Sequence, residues 1–173
     1  MIAVLEAARW APSWKDQEPW RFVVCDRFES AVAWQKAFDC LLRADRAWAY
    51  NAAVLIATCA DTRAFDGSFN RRALYDTGAA ALQLCLEATA RNLATHAVSD
   101  FDEARLRATF DIPDRCDCAA VIAIGHRADV GTLGRDLYRR EVAASHHEPT
   151  GHRFFEGEWD QPVSDEAIAL WRR

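Results

Sequence analysis

The sequence predicts a layered domain in which helices alternate with short buried strands, an α/β or α+β architecture. Three observations carry this expectation. Residues 52–59 (AAVLIATC) and 118–124 (CAAVIAI) are continuous apolar runs with the length and branching of strands covered on both faces. Segments of helical period lie between the apolar runs, the longest over residues 70–93. The chain has 173 residues, 51% of them hydrophobic and 27% charged, which suits one globular domain. At that length roughly 70% of the unfolded surface can be buried, so no disulfide or metal staple is required.

The elements follow in order. Val4, Leu5, Ala8 and Arg9 repeat at helical spacing until Pro12 stops the pattern. Residues 11–19 form a polar loop between two prolines, and 20–25 (WRFVVC) read as a strand. Residues 29–42 are amphipathic and helical, and 44–50 add a further turn or two. The 52–59 strand comes next. The 70–93 helix is apolar nearly all round in its middle (GAAALQLCL), which fits burial in a core or against a second subunit. Residues 94–98 read as a short strand, and 102–110 (DEARLRATF) as a capped helix with acids at its start. The 118–124 strand is closed by Gly125. Beyond Arg127 the chain is polar and reads as an extended arm, ending in a short helix from Ser164.

Composition narrows the function. The net charge of −5 argues against a duplex nucleic acid partner, because basic charge dominates that binding. No apolar run approaches the roughly 18 residues needed to span a membrane as a helix. The first ten residues, MIAVLEAARW, lack the pattern of an export signal. The six cysteines, mostly in apolar segments, therefore read as reduced buried thiols of a cytoplasmic protein. Cys116-x-Cys118 with His126 does not match zinc spacing, and His146-His147-Glu148 reads as solvated loop, so no metal site is expected. No glycine-rich phosphate loop and no Ser-His-Asp order is present. Asp76 reads as the source of a structural hydrogen bond near the start of the long helix. Trp14 is read either as a ring that stacks on a ligand or as interface.

Four segments carry a resemblance. They are 5–13 (LEAARWAPS) leading into 19–24 (PWRFVV), then 75–86 (YDTGAAALQLCL), then 93–96 (LATH) with Phe101-Asp102 and Ile112-Pro113, and lastly 119–125. A weaker match is 154–159 (FFEGEW). In these the chain resembles the nitroreductase family of FMN-dependent oxidoreductases. The resemblance implies an α+β, three-layer α/β/α fold: a mixed sheet flanked by helices, with an extended C-terminal arm. A single domain would span 1–173, with a core over 1–126 and an extension over 127–173.

It further implies a homodimer with FMN between the subunits. Hydride would pass from a nicotinamide cofactor, NADH or NADPH, through the flavin to a small-molecule acceptor such as a nitroaromatic, quinone or enone. The flavin does the chemistry, so no catalytic side chain is assigned. One subunit would present Pro12, Ser13, Trp14 and Asp16, and the other Ser99, Asp100 and the region around His147.

The pattern is broken at some flavin contacts. Family members begin earlier, with an Arg-Ser-x-Arg type clamp for the phosphate, which precedes the first residue here. Asp16 and Glu18 stand where the family has Asn and Gln, and an ionised carboxylate can only accept hydrogen bonds. Ser99-Asp100 replaces a Gly-Gly pair, and His147-Glu148 replaces a basic pair. Arg9, Arg139, Arg140 or Arg153 would have to supply the missing positive charge. These departures keep a second reading open: a non-flavin descendant serving as scaffold or partner subunit, or binding a neutral or cationic molecule.

Overall fold

The computed structural model describes residues 1–144, 147–148, 153–164 and 168–170. It divides into two compact units, Met1–Asp129 and Val130–Arg173.

In the first unit, α1 (Ile2–Arg9) leads through a short 3-10 turn (Trp14–Asp16) into β1 (Trp20–Asp26). Then follow α2 (Ala31–Phe38), α3 (Arg43–Ala49), β2 (Val54–Asp61), α4 (Ala73–Ala90), β3 (Leu93–Val98), α5 (Glu103–Phe110) and β4 (Cys116–His126). Ser30 caps α2 by accepting the Ala33 N–H, and Asp102 caps α5 by accepting the Arg105 N–H. The helix expected over 29–42 ends at Phe38, and α3 is a separate element beginning at Arg43.

The strands form one sheet in the order β1-β2-β4-β3. All three pairings are antiparallel, which corrects the expected mixed sheet. The reason is β4. Strands β2 and β3, joined through α4, run the same way, but β4 lies between them and pairs antiparallel with both. The α+β class and its three layers hold. On one face Leu55, Ala57, Val121 and Ala123 pack with Trp34, Ala37 and Leu106 of α2 and α5. On the other, Val54, Ile56, Ile122 and Ile124 pack with Val4, Ala8, Ala80, Leu84 and Ala88 of α1 and α4. Every residue of β2 is buried, as its unbroken apolar run predicts.

Helix α4 buries Ala73, Asp76, Thr77, Ala80, Leu84 and Ala88. Its other side leaves Leu74, Tyr75, Leu82 and Leu86 exposed. Leu74, Gly78, Leu82 and Leu86 recur every four residues, so they form one stripe along the helix. Among the described residues no helix is long and apolar enough to cross a membrane. All six cysteines are free, and Cys25, Cys40, Cys59 and Cys116 are buried.

The second unit holds a 3-10 turn (Val130–Thr132) and α6 (Arg135–Val142). Helix α6 corrects the expectation that the arm is extended up to its last short helix. Its polar sequence hides good helix formers, with Asp136 in the first turn and Arg139 and Arg140 in the last, which suits the helix dipole. Phe155 bridges Pro162, and its ring lies 5.1 Å from that of Trp159. Residues 168–170 are helical, and the Ile168 N–H donates to the Ser164 carbonyl. The rest of the expected last helix lies outside the described residues.

Candidate functional site

Residues 11–19 connect α1 to β1 at the end of the sheet where β2 finishes. Within them, three non-glycine residues occupy the left-handed region: Lys15 (φ 51°), Asp16 (φ 53°) and Glu18 (φ 43°). Such a conformation costs about 1–2 kcal/mol for each L-residue, so the turn must be held from outside.

Several bonds hold it. The Ser13 Oγ accepts the Glu18 N–H at 3.0 Å. Arg21 donates through Nη1 to the Glu18 and Trp20 carbonyls at 2.8 Å. The Gln17 Oε1 accepts the Phe65 N–H at 2.8 Å, tying the loop to the segment after β2. Asp76 of α4, only 4% exposed, accepts the Trp14 N–H through Oδ2 at 2.9 Å. Asp76 thus makes the structural hydrogen bond the sequence suggested.

The loop also meets a charged rim. The Asp61 N–H donates to the Pro19 carbonyl at 2.8 Å. The Asp61 carboxylate accepts from the Arg63 N–H and from Arg115 Nε, each at 3.1 Å, with Arg21 Nη2 at 3.7 Å. Burial alone would raise the Asp61 carboxyl, but the Arg63 N–H and the two guanidinium groups outweigh it and hold it below the ordinary aspartate value.

On the solvent side, Pro12, Trp14, Asp16 and Glu18 are exposed and Ser13 is half-buried. The Lys15 ammonium sits 4.6 Å from the centre of the Trp14 ring. Phe65 and Phe69 are exposed in the neighbouring segment. The loop therefore offers an aromatic face, one hydroxyl able to donate, one cation and two carboxylates. Arg9, considered as a replacement cation, is committed to Glu6 through both Nε and Nη2.

Ser99 and Asp100 are exposed just beyond β3. The register carries them toward the same end of the sheet as the loop, because Val98 pairs with Val121 while Asp61 pairs with Cys116. However, β3 and β1 are opposite edges of the sheet. Three strand spacings, about 14 Å, separate them, so one chain does not bring Ser99-Asp100 and the 12–16 loop together. His147 is exposed in the second unit. Among the described residues no group of His, Cys, Asp or Glu is arranged to hold a metal ion.

Sequence reasoning missed the Arg21–Asp61–Arg115 rim and the Gln17–Phe65 tie. The available signal was Asp61 itself, a carboxylate closing a buried strand whose one other polar residue is Thr58.

The sequence matches the nitroreductase family over residues 1–126. It is 34% identical over 126 residues to an uncharacterised 15.4 kDa protein from the ask 5′ region of Mycolicibacterium smegmatis, covering 71% of this chain and 82% of that one. A crystal structure described as an oxidoreductase containing FMN superposes with a TM-score of 0.85 at 30% identity, over 92% of this chain and 81% of that one. An FMN-dependent nitroreductase from Clostridium difficile gives 0.60 at 20% identity, over 84% and 86% of the two chains. A nitroreductase family protein from Streptococcus pneumoniae gives 0.66 at 16%, over 90% and 87%. The last two share the fold. The matched segment takes in the 11–19 loop, α4 and the whole sheet, and the chain belongs to the nitroreductase family.

Proposed function

We propose that the chain is an FMN-dependent oxidoreductase of the cytoplasm, working as a homodimer. Family membership and likeness to an FMN-containing oxidoreductase support the general class. The observation that carries the site assignment is the 11–19 loop, a turn strained at three positions yet pinned by four side chains. Strain that the surroundings over-determine is characteristic of functional sites.

The donor set fits the ring end of the cofactor. The Ser13 hydroxyl keeps its proton to donate, because its oxygen is the acceptor for Glu18. Pro12 and the Trp14 ring give an apolar wall. Bound flavin would supply the chemistry, taking hydride from NADH or NADPH and passing electrons to a small organic acceptor. The protein would bind and orient the ring and keep water from one of its faces.

The strand order supports placing Pro12, Ser13, Trp14 and Asp16 of one subunit opposite Ser99 and Asp100 of another, since one chain holds them on opposite edges. The α4 stripe is the matching subunit contact, a long apolar face that water disfavours. The family pattern assigns the region around His147 to the phosphate end, where Arg139, Arg140 or Arg153 would have to supply the positive charge.

The exposed carboxylates of Asp16 and Glu18 favour one other reading, a family member that has given up flavin and binds a neutral or cationic molecule. Equilibrium titration with FMN separates the two. Saturable binding at micromolar affinity or better supports the enzyme, and absence of binding supports the descendant.

A further inference from the structure

We infer that Asp76 is a positioning residue for the flavin loop, setting the place of the Trp14 peptide from within α4. The inference rests on the flavin reading above and adds a residue to it. Asp76 lies 62 positions from Trp14 in sequence and is 96% buried, yet its Oδ2 reaches the Trp14 N–H at 2.9 Å. The other ties to the turn come from the loop itself, from β1 or from the segment after β2. Asp76 alone among these ties stands on a helix, and that helix is packed on the sheet through Ala80, Leu84 and Ala88.

Its place in the turn matters. Trp14 immediately precedes Lys15 and Asp16, both left-handed, so the Trp14 N–H is the last fixed point before the chain inverts. Freed of that point, Lys15 and Asp16 would relax toward right-handed backbone. The Ser13 hydroxyl and the Trp14 ring would then lose the orientation in which they face a ring. What Asp76 contributes is an acceptor oxygen. An amide keeps that oxygen and an alkyl group does not.

The chain provides its own probe. Lysine occurs only at Lys15 and Lys36. Lysyl endopeptidase therefore cuts at the turn and, as an internal control, on α2. The test compares wild type, Asp76→Leu and Asp76→Asn in the full chain. Far-UV circular dichroism checks the fold, cleavage rates at each lysine report the loop, and fluorescence titration gives the Kd for FMN.

Loss of a hydrogen bond to a charged acceptor corresponds to a change of ten-fold or more. The Leu variant is expected to be cut about ten-fold faster at Lys15 with Lys36 unchanged. It is also expected to bind FMN about ten-fold more weakly, with the Asn variant within about three-fold of wild type on both counts. An equal rise at both lysines would mean general loosening and would overturn the assignment. So would an unchanged Lys15 rate, or an unchanged Kd in the Leu variant while the wild type binds FMN. If the wild type takes up no FMN, the flavin reading falls and this assignment falls with it. Should the Leu variant not fold, hydrogen exchange in the wild type decides. A protected Trp14 amide whose exchange slows further with FMN supports the pin, and one exchanging like an open peptide refutes it.

Discussion

Replacing Asp61 by Asn tests how the rim holds the loop. Asp61 receives the Arg63 N–H and Arg115 at 3.1 Å and faces Arg21 at 3.7 Å. Its side chain is 10% accessible, while those of Arg21 and Arg115 are 53% and 48% accessible. Breaking a fully buried pair costs about 3–5 kcal/mol. Here the arginines are half in water and recover hydration, and Asn keeps one acceptor oxygen. The expected loss is therefore about 1–3 kcal/mol. For a chain of this size that lowers Tm by roughly 3–10 °C.

The pH dependence has a definite sign. The folded state holds the Asp61 carboxyl below its ordinary value, so its contribution is complete above about pH 4 and disappears as the pH falls further. Thermal unfolding of both proteins from neutral pH downward should show a constant gap that closes only in acid. Equal Tm values at pH 7, or a gap that widens in acid, would refute the electrostatic account of the rim.

Further outcomes follow from the core, the stripe and the thiols. Leu84→Ala removes a fully buried side chain between α4 and the sheet, and urea unfolding should show a loss of about 2–5 kcal/mol. Leu82→Arg places a charge in the exposed α4 stripe, where Leu82 is 59% accessible, and sedimentation should find a monomer in place of a dimer with secondary structure intact. Burial pushes the Cys25 thiol up to about 11 and the Cys59 thiol up to about 12. With DTNB at pH 8, both should stay unmodified until the chain is unfolded.

Much of the fold was legible because burial writes itself into composition. The AAVLIATC run read as a doubly covered strand, and β2 is buried along its whole length. The cap of α5 was legible at Asp102, whereas the Ser30 cap of α2 was not, because the expected helix began a residue before it. Strand direction was not legible, since it depends on β4 inserting between β2 and β3, a long-range choice. Helix α6 escaped because its sequence is mostly charged, with Leu137, Tyr138 and Val142 the apolar side chains in a short segment.

The site divides in the same way. The 11–19 segment was recognisable as a loop from its bracketing prolines and its family motif. Its left-handed backbone was not, because the positions that adopt it are Lys, Asp and Glu rather than the glycines that usually mark such turns. A turn of this kind is dictated by distant partners such as Asp76 and Phe65, and distance in sequence hides them.

The most direct measurement is the visible absorption spectrum of the purified chain after incubation with FMN and desalting. An FMN-dependent oxidoreductase built on this loop predicts a retained flavin band at a saturable stoichiometry of one per chain, bleached by NADH or NADPH. A chain that elutes colourless would contradict it and would favour the non-flavin reading.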